Sequence, residues 1–249
     1  MKFVLLVFAL SIPFWLAGAT GEQLLPGLPV SSLMFICPAT AALICVYREK
    51  KTTGVTELLK RSFDFQRIRA KIWYVPIILL MPGIIVLSYG LMRLIGLPLL
   101  APQFTILAAL VMLVMFFASA LGEELGWSGY LIDPMQNRWN ALEASILMGL
   151  VWATWHIVPY LQAHRSGAWI AGQCLFTVAV RVLLVWLYNN TGKSVFAATV
   201  CHAMINISIF LPSYGSYYDP RIAGLITAFA AAIVTVVWGP RTLTRRKNV

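Results

Sequence analysis

The stretch FFASALGEELGWSGYLI, residues 116–132, places two adjacent glutamates inside a strongly apolar run. No charged side chain occurs from residue 100 to residue 122, so Glu123 and Glu124 follow a segment that suits the interior of a bilayer. Two of the three histidines, His156 and His202, also lie in apolar runs. Ionisable groups within hydrocarbon cost several kcal/mol each, so these residues predict a functional site.

The composition of the whole chain is that of a membrane protein. Of its 249 residues, 60% are hydrophobic and 11% charged, whereas a soluble domain carries roughly 25% charged residues. Apolar runs of about 18 residues or more predict membrane-spanning helices. The sequence therefore predicts an all-α, polytopic transmembrane bundle of about eight helices in a single domain, residues 1–249. The predicted spans are 3–20, 29–47, 73–97, 103–131, 143–161, 168–188, 194–212 and 221–239. The first of them is also compatible with a signal peptide, and both interpretations stay open.

The net charge of +10 is explained by membrane topology rather than by nucleic-acid binding. If the N-terminus is cytosolic, fifteen Lys and Arg residues fall on cytosolic segments and only Arg165 and Arg221 fall on outer loops. This positive-inside bias predicts a multi-pass protein of the cell membrane with both termini cytosolic, in contact with lipid and with no nucleic acid. The fifteen are Lys2, Arg48, Lys50, Lys51, Lys60, Arg61, Arg67, Arg69, Lys71, Arg138, Lys193, Arg241, Arg245, Arg246 and Lys247.

The only long polar stretch is residues 48–72, where apolar and basic residues alternate. Such a pattern predicts an amphipathic helix on the cytosolic surface, and a solvated loop is the alternative. Its basic character also suggests that a substrate enters from the inner leaflet.

The polar clusters are predicted to lie at one depth in the membrane. Counted at 1.5 Å per residue from the cytosolic ends of their spans, Glu123 is about 15 Å deep, His156 about 19 Å and His202 about 13 Å. Side chains from three helices at a common level can form one site.

Spacing within the clusters indicates chemistry. His202 and Asn206 are four residues apart and share a helix face, where an imidazole and a carboxamide can donate hydrogen bonds to an oxyanion. Trp152 has the same spacing from His156, so its indole can wall the imidazole. Glu123 and Glu124 point about 100° apart on a helix and should have different roles.

A small-residue stripe accompanies the glutamates. Gly122, Gly126 and Gly129 recur every three or four positions, which lets a neighbouring helix approach closely. We therefore expect the two carboxylates to be packed into protein.

Three motifs carry a resemblance to a known family: EELGWSGYL at 123–131, WATWH at 152–156 and SVFAATVCHAMIN at 194–206. In order and spacing they resemble the CAAX-protease and bacteriocin-processing family, also called the abortive-infection family, which includes the Ras-converting CAAX endopeptidase. That family's pattern is EExxxR, then an aromatic residue four before a His, then HxxxN. The family-like core spans about 103–212.

The resemblance implies an intramembrane glutamate endopeptidase that needs no metal or other cofactor. It implies that Glu123 and His156 activate water and that His202 and Asn206 form the oxyanion hole, with Glu124 as support. The implied partner is a peptide or protein substrate, with membrane-embedded and lipidated chains included.

One position departs from the family pattern: Ser128 stands where the family has arginine. Without that arginine, Glu124 must be protonated, bonded to Ser128 or its water, or paired with a cation from another helix. Arg181, about 11 Å deep by helical rise, is the candidate cation. The alternative for Arg181 is that it snorkels to the cytosolic interface.

Three other functions are compatible with the polar cluster. The first is a zinc-dependent protease with Glu123, His156 and either His202 or Cys201 as ligands, although no HExxH motif is present. The second is a non-catalytic membrane immunity or scaffold protein that keeps the fold. The third is a transporter, which the absence of matched halves with broken helices disfavours.

Overall fold

A computed structural model describes residues 2–25, 28–99, 102–211 and 217–245. Of the residues discussed above, Arg246, Lys247 and the last residue of the predicted span 194–212 lie outside the described residues.

The apolar runs fold into helices, as predicted. Within the described residues they form eight rods, which confirms the all-α polytopic fold. The rods are α1 (Lys2–Gly18), α2 (Ile36–Lys60), α3 (Tyr74–Leu94), α4 (Ile106–Gly126) continued by a π-helical turn (Trp127–Leu131) into α5 (Ile132–Gln136), α6 (Ala141–Gln162), α7 (Gly167–Asn190), α8 (Val195–Phe210) and α9 (Pro220–Trp238).

Six of the rods are long and apolar enough to cross a membrane, which makes this a multi-pass membrane protein. The other two, α1 and α8, are apolar but shorter, with 17 and 16 residues. Both pack against the rest of the bundle, since α1 buries Phe3 and Val7 on one face and α8 buries Cys201 and His202.

The helix connections lie at two ends of the bundle, and contacts within each end establish this arrangement. At one end the α1–α2, α3–α4, α6–α7 and α8–α9 connections meet, where Gln162 Nε2 donates to the Trp15 carbonyl at 2.6 Å. At the other end lie the α2–α3, α5–α6 and α7–α8 connections and the C-terminal segment, where Asn189 Nδ2 donates to the Thr242 carbonyl at 2.8 Å. We call the second the basic end, since most Lys and Arg residues lie there, and the first the opposite end.

The α1–α2 connection covers part of the opposite end. It forms a short antiparallel hairpin, β1 (Gln23–Leu25) and β2 (Leu28–Pro29), followed by a 3₁₀ helix, Val30–Phe35. The indole of Trp15 on α1 contacts the sulfur of Met34 at 3.1 Å and holds this connection against α1.

The polar stretch 48–72 is neither a separate surface helix nor a free loop. Helix α2 bends at Lys51, where φ is 55°, and continues to Lys60. Three 3₁₀ turns follow, Arg61–Phe63, Phe65–Arg67 and Lys71–Trp73, and we call residues 61–73 the strap.

The strap is fixed to the bundle by Asp64. Its carboxylate accepts hydrogen bonds from Ser194 Oγ at 2.7 Å, from Phe196 N at 3.0 Å and from Val195 N at 3.2 Å. The first backbone N–H groups of a helix have no partner within it, so a carboxylate there satisfies them and complements the helix dipole. The strap thereby caps α8, the helix that carries His202.

Helices α4 and α2 cross closely at the glycine stripe, as predicted. A Cβ on Gly122 would lie 2.8 Å from the Phe35 carbonyl oxygen, and one on Gly126 would lie 2.5 Å from that of Pro38. A larger side chain at either position would push α2 away from the glutamates.

The π turn that follows the glutamates is in contact with the strap. The Gly129 carbonyl accepts a hydrogen bond from Arg61 Nη1 at 2.6 Å. The widened turn is thus held by a side chain from another part of the chain.

Candidate active site

The two adjacent glutamates of α4 face different surroundings, as their angular separation predicts. Glu123 lines an interior cavity and is 6% exposed, whereas Glu124 is fully enclosed by protein. The sequence-based expectation of two roles therefore has a structural basis.

Glu124 is the centre of a hydrogen-bonded cluster drawn from three helices. Arg181 of α7 donates from Nη1 to Oε2 at 2.9 Å and from Nη2 to Oε1 at 3.0 Å. His202 of α8 places Nδ1 at 3.0 Å from Oε1, and Ser128, one turn along the same rod, donates to Oε2. Of the sequence-based alternatives for Glu124, the structure thus shows two together, the bond to Ser128 and a bidentate cation partner from another helix.

Helix α7, which carries Arg181, lies close to α6 at Gly149, where a Cβ would be 2.9 Å from the Val178 Cα. Its guanidinium has no solvent exposure and lies 4.1 Å from the centroid of the Trp152 ring. A cation over an aromatic face is stabilised by the ring quadrupole. Arg181 therefore does not snorkel to the interface.

Trp152 also contacts Glu123. Its indole Nε1 donates to Glu123 Oε2 at 2.6 Å, so this single side chain links Glu123 to Arg181. The hydrogen bond holds Oε2 of Glu123, whose side chain lines the cavity.

The imidazole of His156 is oriented by its own helix. Nδ1 lies 2.9 Å from the Trp152 carbonyl oxygen, which can only accept, so Nδ1 carries a proton. In the neutral ring Nε2 is then the nitrogen with a lone pair. The ring packs edge-on against Trp155 at 4.7 Å and stacks on Tyr160 at 5.8 Å between centroids.

His202 and Asn206 line the same cavity, one helical turn apart on α8. Nδ1 of His202 faces the Glu124 carboxylate and donates to it, which leaves Nε2 as the nitrogen available to a ligand. The predicted site residues Glu123, Trp152, His156, His202 and Asn206 are thus brought together at one cavity, with Glu124, Ser128 and Arg181 directly behind it.

The cavity has a volume of about 270 Å³ and is mostly apolar. It extends from Glu123 and His202 toward the opposite end of the bundle, where Leu28, Ala163 and Trp169 line it. An apolar cavity with a few convergent polar groups is the usual form of a ligand site. The strap lies at the basic end, and no residue of the described range 48–72 lines the cavity.

Sequence reasoning missed a second polar group in the cavity wall. Tyr218 donates from its hydroxyl to Gln173 Oε1 at 2.7 Å, and both residues line the cavity together with Tyr160. The sequence shows only that Gln173 is an amide within an apolar span, and the structure shows that it is buried.

The donor set does not form a metal site. Across the described ranges, no three His, Cys, Asp or Glu side chains gather closely enough to hold a metal ion. The Glu124 carboxylate and His202 Nδ1 are already paired with each other, and Cys201 is buried beside them without joining a ligand cluster.

A multi-helix membrane bundle with a carboxylate, two imidazoles and an amide around an interior cavity defines a class of membrane-embedded hydrolase. Residues 105–208 match the family model described as type II CAAX prenyl endopeptidase Rce1-like. This match falls within the core predicted from the motifs.

Two curated proteins are similar over most of the chain. CAAX prenyl protease 2 of Methanococcus maripaludis is 27% identical over 228 residues, 85% of this chain and 80% of that protein. Lysostaphin resistance protein A of Staphylococcus haemolyticus is 22% identical over 212 residues, 81% of this chain and 55% of that protein. These matches confirm the family resemblance and support the enzyme class, a peptidase.

Proposed function

We propose that this peptidase hydrolyses peptide bonds within the membrane without a metal ion, with Glu123 as the general base. The observation that carries the proposal is the contrast between the two glutamates. Glu124 is enclosed by Arg181, His202 and Ser128, whereas Glu123 lines the cavity and has its Oε2 held by the Trp152 indole.

The proposed reaction begins with a water molecule between Glu123 and His156. Glu123 Oε1 takes a proton from the water as its oxygen bonds to the carbonyl carbon of the substrate, and His156 Nε2 orients the water. The carbonyl oxygen becomes an oxyanion. When the C–N bond breaks, the proton held by Glu123 passes to the leaving nitrogen, and the products are a carboxylic acid and an amine.

His202 and Asn206 are placed to stabilise the oxyanion. Asn206 donates from its carboxamide, and Glu124 holds the His202 ring by Nδ1 so that its Nε2 faces the oxyanion. In a cavity that excludes bulk water such donors are worth more than in water. Arg181 and Ser128 act through Glu124, which they hold in place, and they do not touch the substrate.

The fixed Trp152 indole sets the geometry of the base. Since it holds Oε2 of Glu123, the carboxylate cannot rotate to share both oxygens with the water. A base in one orientation favours one position of the attacking water.

The proposal is tested with purified protein in detergent and a library of quenched fluorogenic peptides. Glu123→Gln should lower turnover by about 10²–10⁴-fold, the usual contribution of a general base, and leave the unfolding temperature unchanged. The exposed Glu57→Gln is the matched control and should retain wild-type turnover. Cleavage by Glu123→Gln at the wild-type rate would reject Glu123 as the base.

Metal independence needs a separate test. The enzyme should keep its turnover after dialysis against EDTA and should contain no stoichiometric zinc by elemental analysis. Loss of turnover that zinc restores would favour the zinc-dependent alternative over the glutamate mechanism.

The finer points of location and organisation stay predictions. They are a single domain over residues 1–249 with its core at 103–212, a place in the cell membrane, and cytosolic termini. We also propose that the peptide substrates include lipidated chains and chains embedded in the membrane.

A further inference from the structure

The cavity and the positive charge lie at opposite ends of the bundle. We call the part of the cavity lining that lies at the opposite end the cavity mouth. Its residues come from the α1–α2, α6–α7 and α8–α9 connections and from the first turn of α7, namely Leu24, Leu28, Ala163, Arg165, Tyr218 and Trp169. None of these connections belongs to the basic end as defined above.

The charge asymmetry is large among the described residues. Thirteen Lys and Arg residues lie at the basic end, whereas three, Arg93, Arg165 and Arg221, lie at the opposite end. Arg93 joins the second group because its Nη1 donates to the Leu99 carbonyl at 2.6 Å, beyond the end of α3. The positive-inside rule therefore assigns the basic end to the cytosol.

The basic end is also closed by a layer of paired polar groups. Arg61 donates to the Gly129 carbonyl at 2.6 Å, to Tyr188 Oη at 2.7 Å and to the Lys193 carbonyl at 2.9 Å. Tyr188 in turn donates to Asp133 at 3.0 Å, and Lys193 forms an ion pair with Asp133 at 2.9 Å. A substrate from this side would have to break these bonds and then pass the buried pair of Glu124 and Arg181.

The opposite end has the character of an entrance at the membrane surface. Arg165 lies 4.9 Å from the centroid of the Trp169 ring, and Trp169 packs edge-on against Tyr160 at 5.3 Å. Tryptophan and tyrosine side chains favour the boundary between lipid and water, where the ring is apolar and its N–H or O–H is hydrated.

We infer that the substrates are peptides or protein segments presented at the non-cytosolic face of the membrane. Each would carry an apolar stretch that fills the cavity next to Glu123. A chain anchored only in the cytosolic leaflet would be excluded by the closed basic end. This inference rests on the proposed peptidase mechanism and adds the side from which the substrate comes.

The test compares membrane vesicles of the two orientations. The probe is a quenched fluorogenic peptide with an apolar centre and sulfonated ends, which cannot cross a bilayer because of its fixed charges. Right-side-out vesicles should cleave it without detergent. Inside-out vesicles should lose this activity and regain it when detergent is added. Glu123→Gln vesicles provide the background in both cases.

The possible outcomes separate the two proposals. Faster cleavage by intact inside-out vesicles would overturn the inference and leave the peptidase mechanism standing. Equal cleavage by both intact preparations would also overturn it. No difference between wild type and Glu123→Gln in detergent would instead reject the mechanism.

A labelling experiment checks the orientation independently of activity. Ala163→Cys at the cavity mouth and Thr53→Cys at the basic end are compared with the parent protein, which has four cysteines of its own. A membrane-impermeant maleimide added to intact cells should label Ala163→Cys above the parent level and leave Thr53→Cys at that level. The reverse pattern would contradict the inference.

Discussion

Arg181 and Glu124 form a bidentate ion pair in which neither side chain has any solvent exposure. The family pattern places an arginine on the same helix as the glutamate, where this chain has Ser128. Here the cation comes from α7, and the serine adds a hydrogen bond of its own. The arrangement keeps the charge of Glu124 balanced although the motif is incomplete.

Removal of this cation should be strongly destabilising. Arg181→Met leaves the Glu124 carboxylate buried without its cation, and loss of one partner of such a pair typically costs about 3–5 kcal/mol. Chemical denaturation in detergent measures the free energy of unfolding. Arg221→Met, which breaks the solvent-exposed pair with Asp219, is the control and should change stability little. Wild-type stability and turnover in Arg181→Met would exclude any role for the pair.

The indole of Trp152 should matter for turnover through its N–H group. Trp152→Phe keeps an aromatic ring against Arg181 but removes the donor to Glu123, a hydrogen bond to a charged group worth about 1.5–3 kcal/mol. If this free energy is lost from the stabilisation of the transition state, kcat should fall roughly ten- to hundredfold. Trp186→Phe is the control, since the Trp186 Nε1 has no partner among the described residues, and it should leave kcat unchanged. A similar loss of kcat in both variants would show that the hydrogen bond to Glu123 is not the cause.

The carboxylate that caps α8 should stabilise both the fold and the site. Asp64→Ala removes three hydrogen bonds at the start of α8, and loss of an N-cap typically costs about 0.5–2 kcal/mol. Because α8 carries His202 and Asn206, kcat per folded molecule should also fall. Asp219→Ala removes the cap of α9, which carries no proposed catalytic residue, and should lower only the thermal stability. Equal kcat in the two variants would indicate that the cap of α8 has no effect beyond stability.

The close crossing of α2 and α4 predicts a large difference between two glycines. Gly126→Ala would place a Cβ 2.5 Å from the Pro38 carbonyl oxygen, and overpacking of this kind usually costs about 1–3 kcal/mol. Gly83→Ala meets no atom within 4 Å and should be neutral or stabilising, since alanine favours a helix. Thermal unfolding of the two variants measures the contrast, and equal melting temperatures would mean that α2 can shift without cost.

Hydropathy alone was sufficient to predict the bundle and the approximate spans, because a helix in lipid must be apolar over most of its length. The glutamates and His202 could also be assigned to one site, since depth along a helix follows from residue counting. The chemical roles of these residues remain predictions. What residue counting cannot provide is the rotation of one helix against another. For this reason Arg181 was only one of several possible partners for Glu124.

Two other features could not be predicted because they depend on contacts between distant segments. The capping of α8 by Asp64 joins residues that are 130 positions apart, and neither sequence neighbourhood indicates the other. The end toward which the cavity extends depends on which connections pack tightly, and the basic charge of residues 48–72 does not indicate it.

The π turn at Trp127–Leu131 has a consequence for alignment with distant relatives. A π turn is an α-helix with one residue inserted, so a chain that lacks one residue here can keep the glutamates and the end of α5 in the same places. Single-residue gaps between Glu124 and Asp133 should therefore be read as changes in helical winding, and the motif on either side remains comparable.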